Sequence, residues 1–446
     1  MTATSSPTTA ESAPGAVPDS VALARAAGMG PVEYLRSRGF VQDVTDEAGL
    51  AAAFAAGPMT VYQGFDPSAS SLHIGNLLGI MMLGTLQRFG HRPIALGGGG
   101  TMLVGDPSGK TSTRTLLTAG AIEENLRGVL PQFGRFLDFE GGRFGDNPAA
   151  LLLNNADWLV HLGYIAFLRD IGRHFSVNEM LAAETYRVRL ETTGLNFVEF
   201  NYRLVQAYDF LHLFRELDCR LQLGGSDQWG NILAGVDLIR RADGGRAFAL
   251  VCPLLTTASG QKMGKSEGNS VWLDPALTSP YDFSQYWVNV EDTDVARLLR
   301  LYTFVPEDRI ADLTNVSGAA LREAKRVLAH EVTALVHGEA AATEAGEAAR
   351  RLFGGAAARD ATVPTTEVTA AEVEAGLTLA DLLIRAGLVT SRGEARRLAT
   401  QGGLSMDDAK VTDVDAPFRP DGGDALMRAG KKRFRRIVVT GRPGVD

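Results

Sequence analysis

Between Met59 and Gly100 the chain reads as strand, turn, helix, strand. "MTVYQGF" (59–65) is an apolar run of strand character, and "DPSASS" is a turn. "LHIGNLLGIMMLGTLQRFG" then places Ile74, Leu77, Leu78 and Met81 at helical spacing. Ser70 or Ser71 is expected to cap this helix and Gly90 to end it. "RPIALGGGG" returns as a second strand. Strand, loop, helix, strand is the grammar of a parallel pair, and a parallel sheet needs cover on both faces. This passage therefore commits the chain to an α/β fold.

The same grammar recurs. "NYRLVQAYDFLHLF" reads as helix, and "CRLQLGGSDQWGNILAGVDLIRRA" as strand, glycine-rich loop and helix. "RAFALVCPLL" is a further strand, opening into the loop "TTASGQKMGKSEGNS". From Pro280 the character turns helical, with Leu321, Leu328, Val332 and Leu335 on one face. The expected organisation is a disordered tail over 1–30, a parallel-sheet domain over 31–279, helices over 280–352, a linker over 353–375 and a small domain over 376–446.

That last segment stands apart in charge. It holds thirteen Lys plus Arg and nine Asp plus Glu, a net of +4. The whole chain of 446 residues carries −8, so the remainder carries −12. An acidic body argues against bulk nucleic-acid binding and leaves room for one basic module. Arg392, Arg396 and Arg397 share a short helix, and "RAGKKRFRR" adds Lys431, Lys432 and Arg433 around Phe434. Two basic clusters bracketing a folded unit point to RNA rather than to a merely solvated face. Cys219 and Cys252 are too few for a disulfide framework and sit among apolar neighbours, which suits buried thiols in a reducing cytoplasm. No apolar run has the length of a membrane span, and the first twenty residues have neither secretory nor mitochondrial character.

"LVGDPSGKTS" (103–112) comes close to a phosphate-binding loop. Gly109, Lys110 and Thr111 match the end of that pattern, but Val104 stands where its first glycine belongs. A one-residue shift changes which backbone N–H groups point at the phosphate, so a P-loop NTPase is disfavoured.

Five motifs, in order, then converge: "YQGFDPSASSLHIGN", "GDPSGKTSTR", "LVQAYDF", "GGSDQWGN" and "KMGKS". Together they resemble the class I aminoacyl-tRNA synthetases, and within them the bacterial-type tyrosyl-tRNA synthetases, from about Pro31 to the C-terminus. The resemblance implies a Rossmann-like catalytic domain, a helical domain facing the anticodon, and an α+β S-four-type RNA-binding domain. It implies ATP with Mg²⁺ on its phosphates, L-tyrosine and tRNA(Tyr) as substrates, and a cytoplasmic homodimer.

Residue roles follow from the same resemblance. Tyr62 and Asp209 would read the phenol hydroxyl. Asp106, Tyr202 and Gln206 would hold the ammonium group, with Gln222 and Gln228 lining the pocket. Gly64, Asp66, Ser68, His73, Gly75, Asn76, Gly225 and Asp227 would meet ATP. Lys262, Lys265, Ser266, Lys110 and Arg114 would surround its phosphates. The physics agrees with such a set. A carboxylate attacking the α-phosphorus is already ionised and needs no general base, so positioning and cations suffice. His73 at a helix start is placed to donate to phosphate. Tyr202 and Gln206, at i and i+4, share a face.

Three positions depart from the family pattern: Asn76 replaces its final His, Gly264 a common Ser, and Gln63 a small residue. The sequence leaves two alternatives. A tryptophanyl enzyme would need only one acceptor for its indole N–H, and an RNA-binding paralogue would have lost catalysis.

Overall fold

The computed structural model describes residues 19–106, 117–192, 194–256, 263, 265–266, 269–353, 364–407, 409–420, 424–430 and 433–441. Contacts divide the chain into two compact units, Met1–Asp274 with Val290–Leu328, and Pro275–Asn289 with Ala329–Asp446. The helical stretch expected over 280–352 contributes to both.

The first unit is built on a six-stranded sheet. Its strands are β1 (Asp43–Val44), β2 (Thr60–Phe65), β3 (Arg92–Gly97), β4 (Leu151–Asn154), β5 (Cys219–Gly225) and β6 (Phe248–Cys252). They lie in the order β1-β6-β5-β2-β3-β4, parallel except for β1. β3 and β6 are almost entirely buried, as apolar strands covered on both faces must be. β2 precedes β3 and β5 in sequence yet lies between them, so the crossovers leave in opposite directions at β2 and β5. That reversal opens a crevice at the carboxyl ends of these two strands, where open α/β sheets bind ligands.

Helix Ile74–Arg88 buries twelve of its fifteen residues against the sheet, which explains its nearly unbroken apolar run. Its cap is His73 rather than Ser70 or Ser71. Gly90, at φ +92°, turns the chain away just past its end, as expected. Cys219 and Cys252 are both buried, and burial pushes the Cys252 thiol up to about 12.

Two expectations are corrected. Order begins before Pro31, because Ser20–Ala26 is a helix whose Asp19 cap accepts from the Val21 N–H at 2.8 Å. Val21 and Ala24 bury against Tyr34, and Asp19 also accepts from Arg88 Nε at 3.0 Å. The tail proper, residues 1–18, lies outside the described residues. Likewise Thr365–Thr369, within the expected linker, is a strand pairing parallel with Arg433–Thr440. It belongs to a five-stranded sheet with Asp424–Ala429, Leu404–Met406 and Ala409–Lys410. Only Val368 of this strand is buried, so its composition reads as loop. Asp424–Ala429 in the same sheet alternates cleanly, burying every second residue.

Candidate active site

A cavity of about 450 Å³ occupies the crevice at the ends of β2 and β5. All seven residues assigned to tyrosine line it: Tyr62, Asp106, Tyr202, Gln206, Asp209, Gln222 and Gln228. So do Gly64, Asp66, Ser68, His73, Gly75, Asn76, Gly225 and Asp227, assigned to ATP. Lys110, Arg114 and Lys262 lie outside the described residues, and Lys265 and Ser266 are described only through their backbone.

The deep part of the cavity is polar and tightly held. Asp209 is 2 % exposed, and its two oxygens accept from Asn155 Nδ2 and Trp158 Nε1, each at 2.8 Å. Asn155 is oriented in turn, donating to Thr101 Oγ1 at 3.0 Å and accepting from the Gly100 N–H at 2.7 Å. Burial raises the Asp209 carboxyl to about 7 despite these two donors. Burial, and next the charge of Asp209, push the Tyr62 phenol well above its ordinary value. The Tyr62 hydroxyl, Gln206 Oε1 and Gln222 Oε1 are buried without a hydrogen-bond partner among the described residues. Buried polar atoms are normally paired, so this end suits a ligand that donates and accepts.

Asn155 and Trp158, which hold the Asp209 carboxylate, are positions that motif reading misses. "LLLNNADW" carried the available signal, polar and aromatic residues directly after a short apolar strand, where ligand-binding loops begin. At another wall Asp106 Oδ2 accepts from Gln228 Nε2 at 2.8 Å, and Gln228 Oε1 accepts from Asn231 Nδ2 at 3.2 Å. Asp106 is thus joined to the "GGSDQWGN" segment by a carboxylate–amide hydrogen bond.

The helix that starts at His73 has a reciprocal cap. Nδ1 of His73 accepts from the Gly75 N–H at 3.0 Å, and Asn76 Oδ1 accepts from the His73 N–H at 3.1 Å. An accepting Nδ1 is unprotonated, so the ring proton sits on Nε2. Asn76 uses its carbonyl in the cap, which leaves its amide N–H₂ as the donating end. The Asn therefore retains a neutral donor where the family pattern has His. Gln63 fits because Gly79 faces it: a Cβ on Gly79 would lie 2.0 Å from Gln63 Nε2.

Backbone pairing joins the two ends of the motif series. Lys265–Ser266 and Asn269–Ser270 form a short hairpin. The chain leaving it pairs with the His73 turn through Ile74 N–H to Val271 O at 3.1 Å and Leu273 N–H to Leu72 O at 2.8 Å. The His73 and Trp272 rings meet edge to face, 6.0 Å apart.

In the second unit the basic residues are largely matched. Arg392 pairs with Asp381 at 2.7 Å, Arg396 with Asp415 at 3.0 Å and Arg433 with Glu394 at 3.1 Å. Arg397 is exposed and in no ion pair among the described residues. Lys431 and Lys432 lie outside them.

The comparisons with known proteins agree with this geometry. The family model "tRNA synthetases class I (W and Y)" matches residues 55–354, and that of the "Tyrosine–tRNA ligase SYY-like C-terminal domain" matches 357–437. The tyrosine–tRNA ligase of Desulfosudis oleivorans is 50 % identical over 435 residues, covering 92 % of this chain and 99 % of its own. That of Clostridium beijerinckii is 47 % identical over 411 residues, with the same coverage, 92 % and 99 %. Among solved structures, a C-terminally truncated Aspergillus nidulans mitochondrial tyrosyl-tRNA synthetase superposes with a TM-score of 0.67 at 29 % identity, covering 75 % of this chain and 97 % of that one. The chain belongs to the class I tRNA synthetases, among the tyrosine–tRNA ligases.

Proposed function

We propose that this chain ligates L-tyrosine to tRNA(Tyr) in two steps. The tyrosine carboxylate attacks the α-phosphorus of ATP, and the bond to the β-phosphate oxygen breaks to release pyrophosphate. A hydroxyl of the terminal tRNA ribose then attacks the mixed anhydride, and AMP leaves. ATP enters as its Mg²⁺ complex, the metal travelling on the phosphates as part of the substrate.

The observation that carries this reading is the pair of Tyr62 and Asp209 in the deep cavity. The phenol hydroxyl donates to Asp209 and accepts from Tyr62. Indole has no acceptor to offer Tyr62, and phenylalanine would leave both groups unpaired. Discrimination built on this principle reaches about 10⁵ between tyrosine and phenylalanine. Asp106, Tyr202 and Gln206 take the ammonium group, with Gln222 and Gln228 beside them, and Asp227 takes the ribose. Asp66, Ser68 and the small faces of Gly64, Gly75 and Gly225 border the nucleotide. His73 Nε2–H and the Asn76 amide donate to phosphate. Lys262, Lys265 and Ser266 close over the outer phosphates, with Lys110 and Arg114 as further cations. Arg392, Arg396, Arg397, Lys431, Lys432 and Arg433 hold the tRNA backbone.

The test is amino-acid-dependent ATP–pyrophosphate exchange without tRNA, comparing tyrosine, phenylalanine and tryptophan. Exchange with tyrosine alone supports the reading. Exchange with tryptophan overturns the roles of Tyr62 and Asp209, and no exchange at all leaves RNA binding as the function.

The working form is a cytoplasmic homodimer. Exposed apolar side chains in the first unit support the dimer: Ile165 is 75 % exposed and Phe197 65 %, with Tyr164, Val177 and Val198 also open to solvent. Phe197→Asp should yield a monomer in sedimentation velocity. A wild-type monomer at micromolar concentration would refute this assembly. Among the described residues no helix is long and apolar enough to cross a membrane.

A further inference from the structure

A second cavity, of about 290 Å³, lies apart from the substrate site. Its walls come from residues 174–183 and from helices Phe197–Leu217 and Trp229–Asp243. On helix Phe197–Leu217 the side chain of Tyr202 lines the substrate cavity, while Arg203, about 100° round the helix, lines this one.

Arg203 is 8 % exposed. Its guanidinium lies 4.7 Å over the Tyr186 ring, and Nη2 sits so near Gly230 that a Cβ there would approach to 2.9 Å. Among the described residues Nε has no hydrogen-bond partner, and no carboxylate pairs with the group. Burial lowers the guanidinium pKa, with the neighbouring Tyr186 phenol acting in the opposite direction. The other cation at this cavity is matched: Arg241 meets Glu179 at 3.3 Å and Asp237 at 3.8 Å, and donates to the His174 carbonyl at 2.6 Å. The remaining lining is mainly apolar, including Phe175, Met180, Leu233 and Leu238.

Buried charges in proteins are almost always paired, and a guanidinium presents a planar fork that fits a carboxylate. One such fork in an apolar slot does not suit a phosphate, which calls for several cations. We propose that this cavity is a second ligand site, which takes a small monocarboxylate with an apolar body and seats the carboxylate on Arg203. The site shares walls with the catalytic cavity, since Arg203 follows Tyr202 and Gly230 comes two residues after Gln228. The observations behind this site are independent of the catalytic roles assigned above, and its test rests on that reading only in using L-tyrosine to fill the substrate cavity.

The test uses the full chain with its substrate site saturated by L-tyrosine. Binding of 3-phenylpropanoate and of its neutral amide is compared by calorimetry and ligand-observed NMR. The expected result is one acid site per chain, the amide at least about tenfold weaker, and a similar loss for the acid in Arg203→Met. Equal binding of acid and amide overturns the proposal, as does an unaltered Arg203→Met or no acid binding up to about 10 mM. The acid–amide comparison on the wild-type chain decides the matter even if Arg203→Met fails to fold.

Discussion

In the proposed site the substrate phenol donates to Asp209, which is a pure acceptor only when ionised, and burial raises its carboxyl to about 7. The raised value gives a sign. Below pH 7 the carboxyl takes up a proton and ceases to be a pure acceptor, while the substrate phenol does not titrate until about pH 10. Tyrosine affinity measured without ATP should therefore rise from pH 5.5 to 8, by up to about tenfold per unit below pH 7, and level off above. Asp209→Asn should bind weakly and lose the slope. A flat profile for the wild-type chain would show that Asp209 stays charged throughout. Gly64 offers a complementary test on the nucleotide side. A Cβ built there meets nothing within 4 Å, so Gly64→Ala fits the fold and intrudes only on the cavity. The expected outcome is an ATP KM raised about three- to thirtyfold, with tyrosine binding and thermal stability unchanged. A drop in stability with an unchanged KM would remove Gly64 from the nucleotide wall.

At the scale of elements, local pattern shows most where an element buries a regular face. β2, β3, β5, β6 and helix Ile74–Arg88 were readable because their apolar periods match their burial. β1 is two residues long and helix Ser20–Ala26 only seven, so neither carries a period of its own. Both exist through partners distant in sequence. The site shows the same division. Tyr62, His73, Asp106 and Gln228 sit inside motifs, whereas Asn155 and Trp158 matter only because folding brings them to Asp209, more than fifty residues away. Helix Ser20–Ala26 makes this dependence measurable. Arg88 lies between the rings of Phe144 and Phe304, at 3.9 and 4.0 Å, and its side chain is 11 % exposed. Asp19 is its carboxylate partner as well as the helix cap. Asp19→Ala should cost about 1–3 kcal/mol of stability, read as an earlier urea midpoint, since it removes a cap and strands a mostly buried cation. Asp19→Asn keeps the cap acceptor and should recover part of that loss. If both variants melt like the wild type, the helix contributes nothing to the first unit.

At the scale of the whole molecule, charge is divided between an acidic body and a basic C-terminal domain, and the proposed reaction divides in the same way. Adenylate formation, as proposed, uses the cavity at β2 and β5 with the lysine-bearing loops around it. Transfer to tRNA also needs a hold on a polyanion, and there the count of positive charges overstates the supply. Arg392, Arg396 and Arg433 each have a carboxylate partner, which a phosphate would have to displace. Arg397 stands exposed on the same helix without one among the described residues, so it offers its full charge at no such cost. Arg397→Glu should therefore raise the KM for tRNA by about three- to tenfold and lower the salt slope of tRNA binding by about one or more. Arg396→Ala should do less, because it also frees Asp415. Tyrosine-dependent pyrophosphate exchange should stay at the wild-type level in both variants, since neither touches the cavity. If Arg397→Glu alters exchange as strongly as charging, the basic domain acts on the catalytic unit as well as on the tRNA. If it alters neither, the tRNA backbone is held elsewhere, and Lys431 and Lys432 become the next positions to reverse.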